Sequence, residues 1–240
     1  MAEHVGADET LDVLCNDRLR VIQKKGGYRL SLDPLLLANF VRLKKNETLL
    51  DIGTGCGIIP LYMSKRGVAN RLTGIEIQHE LYDLSLRNKA LNACANVEFV
   101  EGDVRTAGKE LGPFHVIVSN PPYVKAATGR KSPGNSRFIA RYESTLDLAA
   151  LICLASSLLF TRGRLCLIYP AKRLAEVIHV SRARDLEPKR LRLVHSKVGA
   201  PAVLSLVECV KGGGTHLRVE PPLYIYAEND YTQEVKTYYA

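Results

Sequence analysis

Thr48-Leu49-Leu50-Asp51-Ile52-Gly53-Thr54-Gly55-Cys56-Gly57 is a short apolar run that dissolves into alternate glycines, and the segment from Ile58 to Arg66 behind it reads as a helix. Strand, glycine loop and helix in that order form the opening unit of a parallel α/β sheet. Glycines let the backbone pass close to a ligand, and a helix amino terminus offers unpaired N–H groups beside it. A tight βα turn would also explain glycines at these positions. A dinucleotide fingerprint would place its third glycine at position 58, which is Ile, so the loop fits a dinucleotide poorly.

Outward from this loop the pattern repeats. Leu72-Thr73-Gly74-Ile75 is the next strand, with Glu76 at its end, where a carboxylate can accept both hydroxyls of a ribose. An unphosphorylated nucleoside suits such a site. His79 to Ala93 reads as a helix with Leu81, Leu84 and Leu91 on one face, and Asn96 to Val100 as a third strand. It ends at Glu101-Gly102-Asp103-Val104, which places Asp103 to accept from an adenine amino group. Either carboxylate alone reads equally well as a solvated loop residue. Asp51, Glu76, Asp103 and Asn120 together, at successive strand ends, make one ligand crevice.

Asn120 belongs to Ser119-Asn120-Pro121-Pro122-Tyr123, directly after the buried-strand run His115-Val116-Ile117-Val118. Two prolines forbid the strand from continuing and fix the backbone at the carboxyl edge of the sheet. An isolated Asn-Pro-Pro is also an ordinary turn. With the crevice beside it, the segment suits a planar amino group: the Asn120 side-chain oxygen and the Pro121 carbonyl accept its two hydrogens while Tyr123 stacks on the attached ring. The nitrogen of an amide or nucleobase is a poor nucleophile, so catalysis rests on aiming it and stabilising its developing positive charge.

Composition bounds the reading. At 240 residues and 46% hydrophobic content the chain supports one substantial core, and its 33 Lys and Arg against 25 Asp and Glu give a net charge of +8, which favours a polyanionic partner. No apolar run approaches the roughly 20 residues of a membrane span, and the first thirty residues lack a signal-peptide layout. A cytoplasmic location without membrane attachment is the expectation. Six scattered cysteines with no Cys-x-x-Cys pair, and histidines that do not join them, predict buried thiols and no metal.

The remaining chain divides into an appendage over residues 1–45, a catalytic domain over 46–211 and a tail over 212–240. Leu19 to Gln23 has strand character, and Asp33-Pro34 opens a short helix to Val41. Val124 to Arg141 is a loop with Lys125, Arg130, Lys131, Arg137 and Arg141 and no acidic residue. It reads both as a solvated lid and as a phosphate contact. Tyr142 to Phe160 reads as an apolar helix, Arg164 to Tyr169 as a fifth strand, Ala171 to Arg184 as a helix, and Pro188 to His195 with Ala202 to Val210 as an antiparallel pair closing the sheet. Arg190 and Arg192 are expected on a solvated strand face. The tail has no legible pattern.

Asp51-Ile-Gly-Thr-Gly-Cys-Gly57, Glu76, Asp103 and Asn120-Pro-Pro-Tyr123 resemble the motifs of a class I S-adenosylmethionine-dependent methyltransferase. The resemblance implies a Rossmann-like α/β fold: a mostly parallel seven-stranded sheet, an antiparallel C-terminal strand and helices on both faces. It implies S-adenosyl-L-methionine as cofactor, with Asp51, Gly53, Thr54, Gly55 and Gly57 around its methionine part. Glu76 with Ile77 would hold the ribose, and Asp103 with Val104 the adenine. Asn120, Pro121, Pro122 and Tyr123 would hold the nitrogen to be methylated, as in N6-adenine and glutamine-amide methyltransferases. Beyond the core, Ile22-Gln-Lys-Lys-Gly-Gly-Tyr-Arg29, Leu186 to His195 and Pro222-Leu-Tyr-Ile-Tyr226 resemble the bacterial valine-tRNA adenine N6-methyltransferase family. That family acts on the adenine beside the anticodon, which implies tRNA as partner. Tyr142 departs from the His often found there. A glutamine N5-methyltransferase acting on a release factor presents the same planar nitrogen but carries a helical domain ahead of the core, and the stretch before Asp51 is short. A non-catalytic RNA-binding protein on this scaffold would be expected to lose the glycines, Glu76 or Asn120.

Overall fold

The computed structural model describes residues 5–26, 31–122 and 146–239. The chain opens on an antiparallel hairpin of β1 (Glu9–Leu14) and β2 (Leu19–Lys24), followed by α1 (Asp33–Phe40), with proline in its first turn. β3 (Leu49–Ile52), α2 (Ile58–Lys65), β4 (Leu72–Glu76), α3 (His79–Asn92) and β5 (Val97–Glu101) then alternate. A single-turn helix α4 (Ala107–Glu110) precedes β6 (Phe114–Ser119). α5 (Leu148–Leu158) passes straight into β7 (Leu159–Pro170). A 3₁₀ turn and α6 (Leu174–Arg182) lead to β8 (Leu186–His195) and β9 (Ala202–Lys211). The tail adds β10 (Arg218–Val219), β11 (Leu223–Tyr224), β12 (Tyr226–Ala227), β13 (Asp230–Tyr231) and α7 (Gln233–Tyr239).

One sheet organises these elements, in the order β5-β4-β3-β6-β7-β9-β8, with β10 and β11 both paired to β8. Its seven long strands are those expected from the sequence, and the tail extends it by two two-residue strands. Among them β9 alone runs against the rest, inserted between β7 and β8. β8 is therefore parallel to the central strands, and its carboxyl end lies at the same edge as theirs.

The strands alternate sides as a pleated sheet must. Leu49, Leu72, Val116, Val118, Cys166 and Ile168 face one core with α1, α2 and α7. Leu50, Ile52, Ile75, Ile117, Leu165 and Leu167 face a second core with α5 and α6. Fully buried β-branched and leucine runs on both faces explain why these strands show no polar alternation in sequence.

Three expectations need correction. The apolar helix does not reach Phe160: α5 stops at Leu158, and the strand begins at Leu159 through a bulge, where Phe114 pairs with Leu159 but Val116 with Arg164. The buried face of α3 is Leu84, Ser85, Asn88 and Asn92, with Leu81 and Leu91 only half-buried. Arg190 is not on a solvated face. It is 5% exposed, lies 3.8 Å over the Phe40 ring, and donates to Phe40 O at 2.6 Å and Glu208 at 2.9 Å. Arg192 is likewise engaged, donating to Glu234 at 2.6 and 2.8 Å.

Candidate active site

The loop after β3 has the shape its glycines permit. Gly53, Gly55 and Gly57 have φ of 72°, 59° and 86°, left-handed values that L side chains rarely adopt. Gly57 is also sterically required, because a Cβ there would lie 2.4 Å from Phe99 Cζ. Gly74 on β4 plays a similar part, with a Cβ reaching 2.6 Å from Thr54 Oγ1. The N–H groups of Gly53 and Thr54 donate to Ile75 O at 3.0 and 3.1 Å, which folds the loop over the end of β4.

Two buried carboxylates hold this loop from below. Asp51, 1% exposed, accepts from Thr54 Oγ1 at 2.7 Å through one oxygen, and its other oxygen, Oδ1, has no hydrogen-bond partner. Burial, with the nearby charge of Glu76, pushes its pKa up to about 7. Glu76, 2% exposed, accepts from Gly55 N at 2.9 Å and from Gln78 N at 3.0 Å, thereby joining the glycine loop to the start of α3. Burial raises its pKa too, against the opposing pull of those backbone N–H groups.

Beside Glu76 lies a shallow, open-sided slot whose apolar lining is Ile52, Ile75, Ile77, Val104 and Leu146. Ile77 is 42% exposed there. Asp103 also lines the slot, but its carboxylate is held by Arg105, whose backbone N–H donates at 2.9 Å and whose guanidinium grips both oxygens. That guanidinium keeps the Asp103 carboxyl below the usual range.

Asn120 follows the last residue of β6 directly; it and Pro122 are half-buried and Pro121 is buried. Ser119 Oγ donates to Ile52 O at 2.8 Å, so the ends of β3 and β6 are tied together where the glycine loop and the Asn-Pro-Pro segment depart. Asp51, Glu76, Asp103 and Asn120 thus stand on one edge of the sheet as expected. Tyr123, Lys125, Arg130, Lys131, Arg137 and Arg141 lie outside the described residues. Among the described residues no cluster of three His, Cys, Asp or Glu is arranged for a metal, and no helix is long and apolar enough to cross a membrane.

The sequence reading missed Ser119, Phe99 and Asn88. Asn88, fully buried, accepts from Ile22 N at 2.7 Å and donates to Ile22 O at 3.1 Å and Cys56 O at 3.0 Å. Asn92 does the same one turn on, accepting from Arg20 N at 2.9 Å and donating to Arg20 O at 2.6 Å. Two amides four apart on α3 therefore act as a partner strand for β2, and Asn88 joins that strand to the glycine loop. Their spacing was the available signal.

An unpartnered buried carboxylate oxygen, alternate left-handed glycines and an apolar slot beside a buried Glu fit a ligand with a cationic group, a ribose and a purine. Fold and site together define a class I S-adenosylmethionine-dependent methyltransferase, and S-adenosyl-L-methionine is its cofactor. A protein of Porphyromonas gingivalis named tRNA1(Val) (adenine(37)-N6)-methyltransferase is 39% identical over 175 residues, 69% of this chain and 68% of that one. One of the same name from Parabacteroides distasonis is 28% identical over 232 residues, 92% and 95% of the two chains. The crystal structure of a predicted O-methyltransferase from Agrobacterium tumefaciens superposes with a TM-score of 0.68 at 25% identity, over 86% of this chain and 94% of the other. The chain belongs to the methyltransferase small domain family, whose model matches residues 32–177.

Proposed function

We propose that this methyltransferase acts on N6 of an adenine in tRNA, beside the anticodon of a valine tRNA. The observation that carries the proposal is Asn120-Pro121-Pro122 tied through Ser119 to the edge of the cofactor loop, in a chain whose relatives carry the name tRNA1(Val) (adenine(37)-N6)-methyltransferase.

When bound, the cofactor supplies an electrophilic methyl group on a sulfonium. Asp51 Oδ1 and the loop Gly53 to Gly57 would hold its amino-acid end, Glu76 the ribose, and Ile77, Asp103 and Val104 the adenine. The Asn120 side-chain oxygen and the Pro121 carbonyl accept the two hydrogens of the substrate amino group, so the nitrogen lone pair is aimed along one line and the positive charge developing on it is stabilised. A methylated N6 carrying positive charge is strongly acidic, and its proton passes to water without a dedicated base. Tyr123 stacks on the adenine, and Lys125, Arg130, Lys131, Arg137 and Arg141 hold the phosphates around it.

The test incubates purified protein with labelled cofactor and, separately, total tRNA, a DNA duplex and a release factor, followed by nucleoside mass spectrometry. Label in tRNA as N6-methyladenosine is expected; label entering only the release factor establishes the glutamine reading instead. Asn120→Ala should lower turnover by orders of magnitude at nearly unchanged cofactor affinity. A variant that methylates at a near-normal rate would reduce the Asn-Pro-Pro segment to a turn.

A further inference from the structure

The β8–β9 hairpin and the strand-rich tail make a wall beside the active site that the reaction described above does not use. Its height follows from register. Ser119, at the end of β6, is level with Leu167; Leu167 pairs with Val207, and Val207 with Leu191. From Leu191, β8 runs on to His195, a further ~13 Å at ~3.3 Å per residue, and the turn at Lys197 and Val198 stands beyond that. Three strand spacings of about 4.8 Å place the wall ~14 Å to the side of Asn120.

The tail completes this wall. Leu223 and Tyr224 pair with Val194 and His195, and Tyr226 N donates to Ser196 O at 2.8 Å, so the tail climbs β8 to the same edge. There Tyr226 stacks on Tyr231 at 5.3 Å and 14°, and Tyr231 on Tyr239 at 5.5 Å and 12°. Tyr226 is the outer ring of this ladder and is 44% exposed, while Val198, at 76%, stands exposed on the adjoining turn and Val203, at 47%, at the start of β9. Lys197 is exposed beside Val198, and Lys172 is exposed just after β7 ends at the same edge.

Resting on the tRNA reading, we infer that this wall docks the RNA that flanks the target adenine, with an unpaired base on Tyr226 and phosphates on Lys197 and Lys172. An aromatic ring already held parallel to its neighbours loses little freedom when a base stacks on it, and two lysines supply the phosphate attraction. Of the carboxylates at the β12–β13 turn, Asp230 is paired with Lys236 at 2.7 Å.

The experiment measures tRNA retention on filters, cofactor affinity by calorimetry, sedimentation of the free protein and methylation kinetics for wild type, Tyr226→Ala, Tyr226→Phe and Lys197→Ala with Lys172→Ala. Tyr226→Ala should weaken tRNA binding about tenfold or more and raise KM for tRNA with cofactor affinity unchanged, Tyr226→Phe should restore both, and the double lysine variant should flatten the salt dependence. Wild-type affinity for tRNA in all variants overturns the inference, as does a change in sedimentation rather than RNA binding, which would make the wall an interface between two copies. If wild type retains tRNA through Tyr226 without forming N6-methyladenosine, the wall stands and the functional reading falls. If methylation of tRNA proceeds in every variant as in wild type, the reverse holds.

Discussion

Asp51 is a buried carboxylate whose protonation is tied to folding. Its pKa, about 7 against an ordinary 3.8, means that the folded chain keeps a proton which an unfolded chain has already released. Stability without cofactor is thus fully present below the ordinary carboxylate range and is lost as pH rises toward 7, by up to about 1.4 kcal/mol per pH unit inside that window. Glu76, raised by burial as well, adds in the same direction. A cationic amino-acid group facing Asp51 favours the carboxylate, so cofactor binding should release a proton below pH 7 and tighten as pH rises. Asp51→Asn should flatten the stability curve and weaken cofactor binding together; denaturation of the two proteins giving parallel pH curves would disprove the assignment. The placement of Asp51, Glu76 and Asn120 at one edge of the sheet was legible in the sequence because each stands at or next to the end of an apolar strand run. The arrangement of Asp103 was not, because its partner Arg105 is two residues away and nothing in the spacing shows which way a loop arginine folds.

Among elements, α3 is the one whose sequence misleads. Its leucines suggest an apolar stripe, yet its buried face is built of amides, because the β2 edge it packs against offers N–H and C=O groups that need partners. Asn88→Ala would strand Ile22 N, Ile22 O and Cys56 O in a dry interior. The expected loss is about 2–4 kcal/mol of stability, with weakened cofactor binding because Cys56 lies in the glycine loop. Urea unfolding beside calorimetry checks both, and stability equal to wild type would show that water replaces the amide. By contrast β3, β4 and β6 could be placed within a residue or two, since short, largely apolar runs ending at the sheet edge admit little else, whereas β7 begins five residues before the expected Arg164. The short tail strands carry no periodicity, and only their register on β8 defines them.

At the scale of the whole molecule, Arg190 joins three parts of the chain: β8, β9 through Glu208, and the tail through Glu220 at 3.5 Å, which also meets Arg42 at 3.1 Å. Removing it leaves two largely buried carboxylates without their shared cation, so Arg190→Ala should cost about 3–5 kcal/mol. Arg192→Ala, whose partner Glu234 is more exposed, should cost less than about 1 kcal/mol. Denaturant midpoints for the two variants test the contrast, and equal losses would contradict it. The tail continues into α7, where Tyr238 O accepts from Tyr62 at 3.0 Å, Tyr239 O accepts from Asn16 N at 3.2 Å, and Val235 is fully buried in the core beneath α1 and α2. The helix that follows the glycine loop therefore leans on residues synthesised some 170 positions later. On a ribosome that core face stays open until α7 emerges, and a chain broken off before it exposes Tyr62 and its neighbours to chaperones and proteases. Fragments that stop short of α7 should therefore be less stable and cleared faster than the full chain even though they contain every cofactor-loop residue.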